Sequence, residues 1–380
     1  MLSLRKALHH LTRRRLLAFL SVVLLSACAQ PEPIIGVETA VPVETVEGAV
    51  QQKVFIATTR QPSNEAGEFY SGARYEGTNY ASVEVSIPPV HQVGKIERPF
   101  RETPDPRKHF VIEQPVNYDG KPDFKAKLSA YLRKLPRSKR NVMLFVHGYN
   151  TDLTSAVLQV SQFVHDSGYE GVPLLFSWAS SSQTVKYVYD LNSALAARDQ
   201  LAGLLSVMNT PAVEGYDLIA HSMGTFLVME TSRQIALTTG LNPTGKARNV
   251  VLTSPDIDID LFKAQLRSLP AQGRNIIVLV SQDDRALRAS RRVAGGVTRV
   301  GQMPATELAK LGVQAIDLSE VDDSSSFSHS KFKDSPEVVQ LIGKAIDEQE
   351  TFNRRPSLSV GQAVAVGVDG TLSVLNPIGE

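Results

Sequence analysis

The chain has a single cysteine and a single tryptophan in 380 residues. One thiol excludes an intrachain disulfide, so burial and hydrogen bonding alone must hold the fold. Long apolar runs are missing too. The longest near the start, 16–25, has about ten residues, half of the roughly twenty that a membrane-spanning helix needs. An excess of one charge sign is also absent, since 40 Lys and Arg against 39 Asp and Glu give a formal +1. Five of the positive charges, Arg5, Lys6, Arg13, Arg14 and Arg15, fall within residues 1–27, and without them the remainder stands near −4. No global basic field therefore speaks for nucleic acid as a partner, and clusters such as Lys125, Lys127, Arg133, Lys134 and Arg137 read as the wet face of a helix. Histidine-rich ligand spacing is lacking, so no metal or cofactor is expected. The "DIDID" run at 256–260 lacks the glycine and distal glutamate of a calcium loop.

What is present begins with a leader. Residues 1–27 combine a basic start, an apolar core and the small residues Ser26 and Ala27 before Cys28, the pattern of a secretory signal peptide. Leu25-Ser26-Ala27-Cys28 resembles the lipobox of bacterial lipoproteins. That resemblance implies diacylation of Cys28 after cleavage, and two acyl chains give stable anchoring where one would not. Ala29, rather than aspartate, follows the cysteine, which in Gram-negative lipoproteins fits the outer membrane, facing the periplasm. The "TRRRLL" stretch at 12–17 also resembles a twin-arginine signal, so both export routes stay open.

Residues 28–50, rich in Pro, Val and Glu without periodicity, read as a mobile tether. Strands are expected at 53–58, 80–87 and 109–115, as a small N-terminal β extension or the first strands of the main sheet. After residue 123 short apolar runs at 142–146, 174–176, 216–219, 249–252, 276–280 and 313–318 alternate with helix-length segments at 154–167, 193–208, 225–237 and 260–268. Unbroken apolar strands separated by helical crossovers indicate an α/β fold, a mostly parallel sheet with helices on both faces. In such sheets chemistry is sought outside the carboxyl ends of the strands. The folded domain is expected over 51–352, and 353–380 as a tail whose segment 363–375 reads as a hairpin turning at Asp369-Gly370.

At one carboxyl end, "AHSMG" places Ser222 two residues after Ala220 and two before Gly224. A strand that turns abruptly into a helix tolerates only small residues at those flanks, the pattern of a nucleophile elbow. A serine hydroxyl needs an imidazole to take its proton. Of the eight histidines, His329 alone follows Ser222, as the order nucleophile, acid, histidine requires. Asp284 follows the run 276–280 and is the expected acid; Asp256, Asp258 and Asp260 form the alternative group, and Asp283 and Asp322 remain possible orienters. The oxyanion donors are expected to be the amides of Met223, at the start of the helix after the elbow, and Tyr149, in the loop "HGYN" after a strand. His147 reads as a packed turn residue rather than a base, and Trp178, Tyr187 and Tyr189 receive no role.

The motifs "FVHGYN", "LFSWAS", "IAHSMG", "SPDID", "SQDDRAL" and "SHSKF", in this order and with "VFIATTR" and "VSIPPVH" before them, resemble a bacterial family of esterase/lipase-like α/β-hydrolases, many of them lipoproteins. The resemblance covers about residues 53–345. It implies the α/β-hydrolase fold, Ser222 as nucleophile, and Asp284 and His329 as acid and base. The function expected is hydrolysis of a carboxylic ester, of a small molecule or a lipid, through an acyl-enzyme. The same residues would serve a peptidase or acyltransferase, and a catalytically idle envelope binding module is the alternative from another class.

Overall fold

The computed structural model describes residues 31–270, 275–321, 328–347 and 357–359. Among them ten strands form one sheet in the order β10-β9-β8-β7-β6-β4-β5-β1-β2-β3. These are β1 (Val50–Pro62), β2 (Tyr70–Ile87), β3 (Val111–Tyr118), β4 (Asn141–Val146), β5 (Val172–Ser177), β6 (Gly215–His221), β7 (Ala247–Thr253), β8 (Ile276–Val280), β9 (Gln314–Asp317) and β10 (Ser357–Ser359). All neighbours from β10 to β1 run parallel, while β2 and β3 are antiparallel additions. The expected β extension is thus continuous with the main sheet, because β1 pairs with β5.

Side chains on β4 show why the sheet is covered twice. Val142, Leu144 and Val146 point into one apolar cluster, and Met143 and Phe145 into another, as the two-residue period of a strand dictates. Helices α1 (Gly120–Lys134), α4 (Arg198–Leu205), α5 (Met223–Thr238) and α6 (Ile259–Arg267) bury Phe124, Leu201, Leu227 and Phe262 in the first cluster. On the other face α2 (Leu153–Asp166), α9 (Lys331–Asp334) and α10 (Pro336–Asp347) bury Phe163, Phe332 and Val339. Helix α2 starts where Asp152 accepts a hydrogen bond from Ser155 N, an N-cap that satisfies one of the first-turn amides. Three further helices are α3 (Tyr187–Ala196), α7 (Arg285–Val293) and α8 (Ala305–Ala309).

Three expectations need correction. The stretch read as a free tether packs onto the domain from Ile34 onward. Ile34, Ile35 and Val43 are buried and Ile35 bridges to Ile112, so the apolar residues scattered among its prolines are contacts rather than spacer. The single helix expected over 193–208 is two helices, α3 and α4, separated at Ala197 and followed by a 3₁₀ turn at Ser206–Asn209. The strand expected at 80–87 is ten residues longer at its start. Cys28 and the hairpin expected at 363–375 lie outside the described residues.

Because β4 sits between β6 and β5, the chain winds from β4 to β5 on one side and then crosses back to β6 on the other. Loops leaving β4 and β6 therefore diverge, and the crevice left outside their carboxyl ends is where ligands bind in open α/β sheets. His147-Gly148 leaves β4 there, and Ser222 leaves β6.

Candidate active site

Every residue of β6 is buried, and the chain then reverses into α5 through Ser222, whose φ is 53° and ψ −123°. A serine held at positive φ is strained, at a cost of order 1–3 kcal/mol. Close backbone approach fixes the neighbours. A Cβ on Gly224 would lie 2.4 Å from the carbonyl oxygen of His147 and 2.7 Å from that of Val146, and a Cβ on Gly148 would lie 2.9 Å from Ser222 Cβ. The loop after β4 and the turn after β6 thus touch backbone to backbone. Met223 opens α5, and amides in the first turn of a helix have no acceptor within it.

His329 reaches the same place from the far end of the chain. Its Nδ1 lies 2.7 Å from Asp284 Oδ2, and Asp284 is fully buried at the N-cap of α7, where its Oδ1 accepts from Leu287 N at 2.9 Å. Ser254 Oγ donates to the His329 carbonyl at 3.0 Å, and His221 Nε2 donates to it at 3.2 Å. The rings of His221 and His329 stand 4.7 Å apart between centroids. Burial, and after it the charge His329 can carry, push the His221 pKa well below its usual value. His221 is thereby a neutral donor, its proton on the nitrogen that faces the carbonyl.

The loop that carries His329 is tied down by Lys331. This lysine is 2% exposed, and its Nζ donates to both oxygens of Asp283, at 3.0 and 2.9 Å, and to the carbonyls of Leu318 at 3.0 Å and Ser319 at 3.3 Å. Burial alone would raise the Asp283 pKa, but hydrogen bonds from Ser281 and Lys331 outweigh it and hold the carboxyl below its usual range.

A second buried cation stiffens the opposite wall. Arg60, from β1, donates through Nε to Ser177 Oγ at 2.8 Å and through its terminal nitrogens to the carbonyls of Ser71, Ser180 and Thr151. Burial lowers its pKa to about 10. His147 sits beside it, stacked on Trp178 at 5.0 Å, with Nδ1 donating to the Gly148 carbonyl at 2.8 Å. Burial and then the charge of Arg60 bring the His147 pKa down to about 3, so this imidazole is a neutral packing group. Asp190 on α3, also fully buried, accepts from Ser180 Oγ, Ser181 N and Asn150 N. Tyr149 Oη donates to the carbonyl of Thr184, and its ring stands edge-on to Tyr187 at 5.4 Å.

The structure therefore brings Ser222, His329, Asp284, Met223 and Tyr149 to the carboxyl ends of the central strands. It sends the other candidate acids elsewhere. Asp256 accepts from Tyr187 Oη at 3.0 Å and Ser290 Oγ at 2.5 Å and pairs with Arg299 at 3.3 Å. Asp258 caps α6, Asp260 is exposed on that helix, and Asp283 belongs to Lys331. Asp322 lies outside the described residues. Arg60, Asp190, His221 and Lys331 were not expected. Only Arg60 leaves a trace in the sequence, as a charge at the end of an apolar strand. Among the described residues one group, His91, His165 and Asp166, could offer a metal three ligand atoms within 4.8 Å. The His91 nitrogens are hydrogen-bonded to Glu97 and Asp166, each at 2.7 Å. The group sits at the far end of α2 from the strand edge that holds Ser222.

Residues 121–345 match the model of a family described as alpha/beta hydrolase of unknown function (DUF900). Among curated proteins nothing matches the chain. Solved structures similar to it include a hyperthermophilic esterase from the archaeon Pyrobaculum calidifontis, 13% identical over 87% of this chain and 97% of that one, TM-score 0.37. A fungal esterase of Rhizomucor miehei is 11% identical over 87% and 95%, TM-score 0.37. A predicted CIB-like hydrolase from Thermoplasma acidophilum is 14% identical over 56% and 89%, TM-score 0.35.

Proposed function

The chain belongs to the α/β-hydrolase family of that model, and on this premise we propose that it is a serine hydrolase that cleaves carboxylic esters through an acyl-enzyme on Ser222. The observation that carries the reading is the 2.7 Å contact of His329 Nδ1 with buried Asp284, made where the His329 ring packs against His221, the residue before Ser222.

In this mechanism Ser222 Oγ attacks the ester carbonyl while His329 Nε2 takes its proton. Asp284 fixes the tautomer that leaves Nε2 free to accept, and stabilises the imidazolium that results. The amides of Met223 and Tyr149 hold the oxyanion, and losing one such donor typically raises the barrier by about 3 to 4 kcal/mol. Collapse of the tetrahedral intermediate breaks the ester C–O bond, and His329 returns the proton to the departing alkoxide. A water then repeats the cycle on the acyl-enzyme and releases the acid. Cys28 is the site we propose for lipid attachment, which would keep the enzyme in the envelope near lipid esters.

Labelling with a fluorophosphonate probe tests the assignment. The wild-type chain is expected to label and Ser222→Ala to stay blank. His329→Ala should lose about as much p-nitrophenyl acetate hydrolysis as Ser222→Ala, and the double variant little more, because members of a triad act as a unit. A folded wild type that neither labels nor hydrolyses, or losses that add, would defeat the reading.

A further inference from the structure

Among the described residues the outer face of α7 has no packed partner. Its inner face carries Asp284, Leu287 and Ser290, which meet His329, the core and Asp256. Outward it presents Arg285, Arg288, Arg291 and Arg292, all exposed. Nine residues with four arginines and no acid would repel one another without a counter-charge. Among the described residues none of the four is in an ion pair. Arg288 and Arg291 donate to backbone carbonyls, of Asp283 and Asp284 for the first and Gly296 for the second. At the end of this helix Val293 is 67% exposed, and in the segment that contacts the helix Val185 is 88% and Val188 63% exposed. The two segments are neighbours, because Tyr187 Oη lies 3.0 Å from Ser290 Oγ, and Lys186 adds a further exposed positive charge. The remainder of the chain after residue 27 is net negative, so this patch is a local reversal of sign at the mouth of the crevice.

We propose that this surface seats the crevice on an anionic lipid bilayer, the arginines against the headgroups and the three valines at the acyl boundary. A soluble polyanion would satisfy the arginines but leaves the valines without a use. Clustered cations flanked by exposed apolar side chains match the two terms of interfacial binding, attraction to anionic lipid and burial of apolar area. Docked so, the crevice faces the acyl chains rather than bulk water.

Sedimentation with vesicles tests this, and because it reads binding it stands or falls apart from ester hydrolysis. The parent and its variants are the full chain carrying Cys28→Ser, so whatever residues 1–30 contribute is common to them. The parent is expected to bind vesicles of phosphatidylcholine with 30% phosphatidylglycerol more tightly than phosphatidylcholine alone, and less so as salt rises. Each arginine near an anionic surface contributes about a fivefold effect, so Arg285→Ala with Arg292→Ala should weaken that binding roughly 25-fold. The pair Val185→Ser and Val188→Ser should weaken it at every salt concentration. Equal binding to the two vesicle types, or arginine variants that bind like the parent, would overturn the proposal. So would loss in the arginine variants with none in the valine pair, which would assign the patch to a polyanion in solution.

Discussion

Lys331 is the perturbation that most directly separates fold from function. Its ammonium is buried and meets four acceptors, the two oxygens of Asp283 and two carbonyls just past β9. Replacing it with Met keeps the apolar stem and deletes the charge. Hydrogen bonds to charged groups contribute roughly 1.5 to 3 kcal/mol each. Removing one partner of a fully buried pair costs about 3 to 5 kcal/mol, but the Asp283 side chain is 45% exposed and water can take the place of the lysine. We expect Lys331→Met to lower stability by about 2 to 3 kcal/mol in urea unfolding.

The kinetic consequence is the sharper one. His329 lies two residues from Lys331 and makes one contact to Asp284, so a loosened loop displaces the imidazole rather than removing it. A misplacement of about 1 Å typically costs on the order of 100-fold in rate. With p-nitrophenyl acetate kcat is expected to fall by roughly 10- to 100-fold while KM stays within about twofold, because Lys331 is buried and its ammonium is engaged by Asp283, Leu318 and Ser319. Lys331→Arg, which keeps the charge, should recover part of kcat. A variant that loses stability but keeps kcat would show that the clamp serves the fold alone, and one that loses neither would show the contacts to be idle.

Two further outcomes follow from the same geometry. Gly224→Ala would place a Cβ 2.4 Å from the His147 carbonyl, so it should cost about 1 to 3 kcal/mol by overpacking and lower kcat by parting the two loops; full activity and stability would mean the backbones are not that close. For pH, His147, at about 3, and His221, well below its usual value, are buried neutral, whereas in the unfolded chain both take up a proton near pH 6.5. The unfolded state then binds more protons, so stability falls with pH below about 6.5, by roughly 2 kcal/mol for His147 at pH 5, and His221 adds to the loss in the same sense. His91 acts in the opposite sense: burial lowers its pKa, but Asp166 and Glu97 outweigh that and raise it, so its contribution is present in acid and fades as pH rises through the folded value. His165, held below its usual value by burial and then by the charge of His91, acts with the first two. Three groups against one leave a net loss, to be read as a lower urea midpoint at pH 5.0 than at 7.5; a flat or rising midpoint would refute the burial of these histidines as neutral groups.

How far the sequence could be read depends on where the information for each feature lies. The runs at 142–146, 216–219 and 276–280 are strands because strands buried on both faces are mostly apolar, and all three coincide with observed strands; Asp217 on β6 is the buried exception, held by Arg248 and Asn249. Helix α7 escaped notice because only Leu287 and Ser290 are buried on it, too few to set up a helical period. The packing of Ile34 and Ile35 was hidden for the converse reason, since two isoleucines among prolines have no period at all. Ser222, Asp284 and His329 could be proposed together because chain order and strand ends constrain them. Nothing local relates Arg60 to Ser177, 117 residues away, or Lys331 to Asp283.

Those unreadable contacts gather where the backbone is least relaxed. Seven non-glycine residues among those described have positive φ, and five of them, Asn150, Ser182, Ser222, Ser254 and Ser328, lie just past β4, β5, β6 and β7 or next to His329. At about 1 to 3 kcal/mol each, such residues persist only where the surroundings over-determine them. Here the surroundings are specific: Arg60 holds the Thr151 carbonyl and Asp190 the Asn150 amide, Ser254 is tied to the His329 carbonyl, and Lys331 grips the loop just beyond Ser328. A buried arginine and a buried lysine are costly by themselves, since desolvating a cation is offset only by several good acceptors. Each of the two meets several acceptors. Those of Arg60 include the carbonyls of Thr151 and Ser180, beside the strained Asn150 and Ser182, and Lys331, three residues after the strained Ser328, meets Asp283 and the carbonyls of Leu318 and Ser319. The strain at this edge and the buried cations beside it are therefore one device, in which rigid polar clamps hold loops of unfavourable conformation at fixed distances from Ser222.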